Sequence, residues 1–274
     1  MKPNLTAYVL AKDEAPNIGR CLEALRACEV RVVVLDSGSS DSTVEIARAG
    51  GATVEDYGYT THLAALREIC EQRTPTDETA MVLDADMIVT EALIAEAQEL
   101  IDSAVADVVI APISMSWEGR ELNHASLCPP KAFMFRGGRN YFQAAGHGES
   151  LREGVKYATT RARLVHDDRK PYTAYLQSQC RYAGFLLERA REDKLTWRDR
   201  IRLRSPLLAM IVPLTSLIAK AGFLDGSAGV GYAMDRLIAE AIQYRQALAA
   251  RVSERLRTEE KGSRGSQKGS ALEP

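Results

Sequence analysis

The apolar run Met81-Val82-Leu83 leads into two carboxylates one residue apart, Asp84-Ala85-Asp86. A short apolar run reads as a buried strand, and the end of a strand in an open α/β sheet is where ligands bind. Two acids there repel each other and are not buried together without a compensating cation. A hard divalent metal is the simplest compensation, held by one or two carboxylates and completed by a substrate's phosphates. An Asp-x-Asp pair by itself describes a solvated strand-to-loop turn just as well, so its companions decide.

Two further segments have the same form. Leu35-Asp36-Ser37-Gly38-Ser39-Ser40-Asp41-Ser42-Thr43 puts an acid at a strand end, then small hydroxyl residues and a helix start. Such an acid can accept from a base N–H or a ribose hydroxyl, while Gly38 allows close backbone approach. Asp41 alone reads as a helix cap. Ala11-Lys12-Asp13-Glu14-Ala15-Pro16-Asn17 is a third polar strand end, with Glu14 near a helix N-terminus. The three together outline one nucleotide crevice.

The elements that would position these residues alternate. Leu5–Ala11, Val30–Leu35, Ala52–Glu55, Met81–Leu83 and Val105–Ala111 read as strands. Between them, Pro16 opens a helix with Ile18, Leu22 and Leu25 on one face, and Asp41 or Ser42 caps a second. Ser42-Thr43-Val44-Glu45 has capping-box form, and Gly50-Gly51 ends that helix. Helices follow over His62–Gln72 and Thr90–Ser103. The alternation predicts βαβ units and a mainly parallel, Rossmann-like α/β sheet flanked by helices. Trp117–Tyr157 reads as irregular structure. From Tyr172 the pattern is helical, ending in a long amphipathic helix over Tyr232–Arg257, and Tyr172, Tyr175 and Tyr182 read as core.

The expected organisation is a nucleotide-sugar-binding half over 1–115 and an acceptor and catalytic part over 116–170. A helical C-terminal extension covers 171–257, and a Gly/Ser/Lys-rich disordered tail 258–274. A net charge of −2 gives no electrostatic case for nucleic acid. Five cysteines without metal-type spacing fit reduced thiols in a cytoplasmic protein. No secretory leader is expected from Met1-Lys2-Pro3-Asn4, and Leu207–Ala219, the longest apolar run, is too short to span a bilayer. Trp197-Arg198-Asp199-Arg200-Ile201-Arg202-Leu203-Arg204 beside Leu207–Val212 suits a peripheral membrane helix, and equally a helix packed on the catalytic domain or a homodimer contact.

In order and spacing, Val9–Glu14, Val34–Thr43 and Leu83–Asp86 resemble glycosyltransferase family 2, inverting enzymes of the GT-A fold that use nucleotide-diphosphate sugars. Gly146-His147-Gly148-Glu149-Ser150-Leu151, Leu164-Val165-His166 and Gly222–Gly229 resemble its lipopolysaccharide-core β-glucosyltransferase subgroup, which also contains peptide S-glycosyltransferases. The resemblance implies that Ala11, Lys12, Asp13, Glu14, Asp36, Ser37, Gly38, Asp84 and Ala85 hold the nucleoside. It implies Mn²⁺ or Mg²⁺ at Asp86, with Asp84 beside it and His166 as a further ligand. Glu149 or His147 would be the base, with Gly148 intervening where the family has His directly before Glu. Around Gly58-Tyr59-Thr60-Thr61-His62 the subgroup has a Gln-Lys-Asn-like sequence, so UDP-glucose is the default donor only. The expected acceptor is a glycan or lipid-linked glycan at the cytoplasmic membrane face. The alternatives are a peptide or small-metabolite acceptor, and a non-catalytic nucleotide-sugar-binding protein.

Overall fold

The computed structural model describes residues 4–58, 61–145, 148–192 and 195–269. A seven-stranded sheet forms its centre. In chain order the elements of the first half are β1 (Leu5–Ala11), α1 (Ile18–Ala27), β2 (Arg31–Asp36), α2 (Thr43–Ala49), β3 (Thr53–Asp56), α3 (His62–Glu68), β4 (Thr79–Asp84), β5 (Met87–Ile88), α4 (Glu91–Asp102) and β6 (Val108–Ala111). Then come β7 (Ile113–Trp117), β8 (Arg120–Leu122), β9 (Lys131–Arg136), β10 (Phe142–Ala145), β11 (Gly148–Leu151), β12 (Tyr157–Thr159) and β13 (Leu164–His166). Among the described residues four α-helices follow: α5 (Tyr172–Arg191), α6 (Trp197–Arg204), α7 (Leu208–Leu214) and α8 (Gly226–Gly269).

The sheet order is β12-β6-β9-β4-β1-β2-β3. β1 pairs in parallel with both β2 and β4, and β2 with β3. Every residue of β1 is buried, and its side chains alternate between two cores. Leu5, Ala7 and Val9 pack with Ile18, Cys21, Leu22 and Leu25 of α1 on one face. Tyr8 and Leu10 pack with Ala65 and Leu66 of α3 on the other. β4 divides the same way, Met81 and Leu83 to the first core, Ala80 and Val82 to the second. This two-sided burial is why the strands read as continuous apolar runs.

Register fixes the site. Leu10 lies opposite Asp84 and Ala11 opposite Asp36, so the three polar strand ends share one sheet edge. A second sheet, β5-β13-β7-β8, pairs His166 with Met87, and the Asp167 N–H donates to the Asp86 carbonyl at 3.0 Å. That pairing carries His166 to Asp86 across eighty residues of sequence.

Several local expectations change. Trp117–Tyr157 is not irregular: it supplies β8 to β11, and β9 runs antiparallel between β4 and β6. Lys131-Ala132-Phe133-Met134-Phe135-Arg136, bounded by prolines and Gly137-Gly138, is a strand signature. The first helix starts at Ile18, because Pro16 lies in the preceding turn. Ser42 makes no side-chain cap, since Asp41 Oδ1 takes the Thr43 N–H at 3.0 Å. The 62–72 helix is α-helical only to Glu68 and widens into a π-turn over Ile69–Arg73. The strand expected over Val105–Ala111 begins at Val108, as β6, leaving Val105 exposed. The last helix begins earlier and runs further than expected. Its last described residue is Gly269, past the expected end at Arg257.

The C-terminal helices are fastened to the sheet domain by two acids. Asp225, in the turn before α8, accepts the N–H groups of Asn123, His124 and Ala125 at 3.1, 3.0 and 2.7 Å. Asp235 on α8 accepts the Trp117 indole N–H at 2.7 Å. α8 comes so close there that a Cβ on Gly229 would lie 1.9 Å from the Gly222 carbonyl oxygen, and one on Gly231 2.3 Å from the Trp117 ring. The close approach, rather than backbone freedom, requires glycine at both positions.

Candidate active site

A cleft of about 920 Å³ opens at the polar sheet edge. Its walls include Leu10, Ala11, Lys12 and Glu14 from the first strand end, Asp84 and Asp86 from the fourth, and Glu149 from β11. His62 at the start of α3, Lys131 at the start of β9, His166 at the end of β13, Asp168, Lys170 and Arg181 add further charged or titratable groups to its lining. α5 covers one side through Tyr175, Gln179 and Tyr182.

The two acids of the opening motif sit in different surroundings. Asp84 Oδ2 accepts from the Lys131 ammonium, and His62 Nε2 lies 3.7 Å from its other oxygen. Burial opposes ionisation of Asp84, but the Lys131 charge beside it wins and holds the carboxyl below the usual carboxylate range. Burial opposes charge on Lys131 too, and Asp84 more than offsets it, so its ammonium is held above its usual value. Asp86 goes the other way. Burial, with Asp84 and Asp168 nearby, pushes its carboxyl up despite His166, whose Nε2 is 3.4 Å from Oδ2.

Asp86 Oδ1 and His166 Nδ1 are both buried without a hydrogen-bond partner. Buried polar atoms are rarely left so, and two on residues whose side chains meet mark unused capacity for a ligand. Among the described residues no group of three or more His, Cys, Asp or Glu is arranged to enclose a metal ion. The residues therefore fit a cation completed by substrate oxygens and do not fit a closed protein cage.

On the other side of the His62 ring, Glu149 Oε1 lies 3.0 Å from Nδ1. Burial would raise the Glu149 carboxyl, but the His62 hydrogen bond and charge outweigh it and keep it low. Glu149 is thus an oriented carboxylate able to take a proton. Glu14 is the contrasting acid. Burial pushes it up to about 7, although Lys170 and Asn17 both donate to it.

The sequence matches the family described as Glycosyl transferase family 2 over residues 6–145, 140 of its 274 residues. The chain belongs to glycosyl transferase family 2. It is accordingly a nucleotide-sugar glycosyltransferase, with the mixed α/β fold described above. Solved structures also resemble it. A mycobacterial protein is 18% identical, with 66% of this chain and 73% of that one covered and a TM-score of 0.45. Glucosyl-3-phosphoglycerate synthase from Mycobacterium tuberculosis, solved with Mn²⁺, UDP and glucosyl-3-phosphoglycerate, is 17% identical over 66% and 78%, TM-score 0.42. S. aureus TarS 1–349, solved with UDP-GlcNAc, is 16% identical over 88% and 91%, TM-score 0.42. The family assignment rests on the sequence match and not on these structures.

The glycosyltransferase brings together only part of the residue set read from sequence. Ala11, Lys12, Glu14, Asp84, Asp86, Glu149 and His166 line the cleft, whereas Asp13, Asp36, Ser37, Gly38 and Ala85 are not among the described residues of its wall. Asp36 is buried and folds its own loop, Oδ2 accepting the Gly38 and Ser39 N–H groups at 3.0 and 2.9 Å. Asp13, at a left-handed φ of 52°, ties that loop to the first strand end by accepting the Ser40 N–H at 2.7 Å. Ser37 Oγ is buried without a partner, and Ala85 is wholly buried. His147 lies outside the described residues. The tyrosines of α5 are not core: Tyr172 and Tyr182 are exposed, and Tyr175 and Tyr182 face the cleft.

Sequence reasoning missed Lys131 and His62. Lys131 was hidden in a region read as irregular, although the strand signature after Pro130 marked its position. His62 opens α3 behind the Thr61 cap, whose hydroxyl accepts the Ala64 N–H at 3.1 Å. Its pairing with Glu149 spans eighty-seven residues, and no local pattern announces it.

Proposed function

We propose that this glycosyltransferase inverts the anomeric carbon of a UDP-sugar, UDP-glucose by default, as it transfers the sugar to a cell-envelope glycan such as a lipopolysaccharide core. The acceptor would be reached at the cytoplasmic face of the membrane, as for the core β-glucosyltransferase subgroup that the chain resembles. The observation that carries this reading is one cleft holding both Asp86, with an unpaired buried oxygen, and a Glu149 carboxylate kept ionised by His62.

In the proposed reaction Glu149 takes the proton of the acceptor hydroxyl as that oxygen attacks the anomeric carbon. The new glycosidic bond forms as the bond from the anomeric carbon to the diphosphate oxygen breaks, and UDP leaves with its electron pair. Asp86 and His166 would hold Mn²⁺ or Mg²⁺, which as a Lewis acid supplies stabilisation of charge on the departing diphosphate. Lys131 fixes Asp84 as a charged neighbour of that position, while Lys12 and the Glu14–Lys170 pair form the nucleoside edge. Asp36, Ser37, Gly38 and Asp13 support this edge by folding its loops, and Ala85 spaces the two acids.

Thermal-shift measurements against a panel of nucleotide sugars, with and without Mn²⁺, test the reading. UDP-sugars should stabilise the protein, more strongly with metal, and the best donor should be hydrolysed slowly without acceptor. Stabilisation by another nucleotide class, or none by UDP-sugars, would overturn the donor assignment.

A further inference from the structure

The outward face of α7 and of the turn that follows it is strongly apolar. From Pro206 to Leu224 the chain contains no acid, and Lys220 is its one charged residue. Leu207, Met210, Ile211, Leu214 and Ile218 recur at helical spacing and form one stripe along α7 and the π-turn Thr215–Ala219 that continues it. They are 46–65% exposed, and Phe223 and Leu224 beyond the stripe are 58% and 62% exposed. The buried position between them is Ser216, whose hydroxyl donates to the Ala125 carbonyl at 2.6 Å. A surface helix of a soluble protein has the opposite polarity, and monomers seldom leave so continuous an apolar surface in water.

Charge at both ends of the stripe selects its occupant. Arg200 and Arg204 are exposed on α6 just before it, Lys220 is exposed after it, and the one acid of α6, Asp199, is buried. Trp197, 67% exposed, stands at the start of the same segment. An acid-free apolar strip with basic flanks and an exposed indole complements an anionic lipid headgroup layer over a hydrocarbon interior. A second copy of this chain would bring the same positive flanks as its own. Residues 208–219 alone are too short to span, rising about 18 Å at 1.5 Å per residue against about 30 Å of hydrocarbon, and only together with α8, across a sharp bend, does the segment reach a spanning length. Among the described residues no single helix is long and apolar enough to cross, and the segment meets α8 at a 74° bend.

We propose that the Leu207–Leu224 face is a monotopic docking surface that lies in one leaflet of an anionic bilayer. α8 packs against both α7 and α5, and α5 lines the cleft, so docking would hold the cleft beside the membrane. The surface stands independently of the proposed donor and acceptor, and only its purpose rests on a membrane-borne acceptor.

Vesicle flotation tests it on the full chain, comparing phosphatidylglycerol–phosphatidylcholine vesicles with phosphatidylcholine alone. The protein should float with the anionic vesicles, and less as salt is raised. Ile211→Gln with Ile218→Gln should weaken this by about tenfold or more while leaving unfolding temperature and UDP-sugar binding unchanged. Arg204→Glu should lower binding to anionic vesicles only. Failure of the wild type to float, or flotation of the double variant like wild type, would overturn the proposal. So would a dimer in sedimentation that the double variant dissolves while the wild type ignores vesicles. If flotation succeeds and no envelope glycan is glycosylated, the acceptor assignment fails and the docking surface stands.

Discussion

Lys131→Met is the most informative single change in the cleft, because Lys131 acts as an internal cation for Asp84. Removing one member of a buried pair costs about 3–5 kcal/mol. Here the Lys131 side chain is 18% exposed but Asp84 is 38% exposed, so water takes over part of the lost interaction and the expected cost falls to about 2 kcal/mol. The depressed Asp84 carboxyl contributes stability that is complete above its usual range and disappears as pH falls through its folded value. Lys131→Met should therefore lose stability at neutral pH and converge on wild type in acid. Guanidinium unfolding of Lys131→Met, Asp84→Asn and the double variant measures the coupling, expected at about 1 kcal/mol or more. Mn²⁺ should restore part of the Lys131→Met loss, since Asp84 and Asp86 then lack their ammonium and hold a divalent ion more tightly. Single effects that add within about 0.5 kcal/mol would show that the pair is not coupled and refute the reasoning.

Three further outcomes follow from the same geometry. Glu14, raised to about 7 from an ordinary 4.5, makes the folded protein lose up to about 3 kcal/mol as pH climbs between those values. Glu14→Gln should match wild type near pH 5 and exceed it in melting temperature near pH 8, and parallel curves would contradict the buried acid. His62→Ala should lower kcat about 10–100-fold with little change in donor KM, and His62→Asn, whose amide N–H takes the Nδ1 place, should recover much of it. A loss confined to donor KM would reassign His62 to the donor site. Asp225→Asn sets an amide N–H against backbone N–H groups that now find a carboxylate, and should cost about 3 kcal/mol in denaturant unfolding. A cost below about 1 kcal/mol would show that this clasp does not hold α8.

The first half of the fold was legible because its strands are buried on both faces and its helices carry 3.6-residue patterns. Met81–Leu83 and Leu5–Ala11 are apolar for that reason, and their acids fall at strand ends because the chain leaves the core there. Asp84, Asp86 and the Lys12–Glu14 edge were recognisable from one segment each. What local pattern could not supply was pairing across the chain: Lys131 to Asp84, His62 to Glu149 and Asp225 to the Asn123–Ala125 backbone. Asp36 shows the converse, a structural role that its position does not announce. Its strand-end position suggests a ligand contact, and the Gly38 and Ser39 N–H groups also use its carboxylate to close their own turn. The α5 tyrosines were read as core because helical spacing gives a face without saying whether protein or cleft lies against it.

The central claim is that Asp86 couples a divalent cation to the nucleotide diphosphate. Titration calorimetry of UDP into wild type and Asp86→Ala, each with and without Mn²⁺, tests it most directly. The account predicts that Mn²⁺ tightens UDP binding to wild type by about tenfold or more and that Asp86→Ala loses this gain while keeping its melting temperature. An Asp86→Ala protein that binds UDP with the same metal-dependent gain would contradict it.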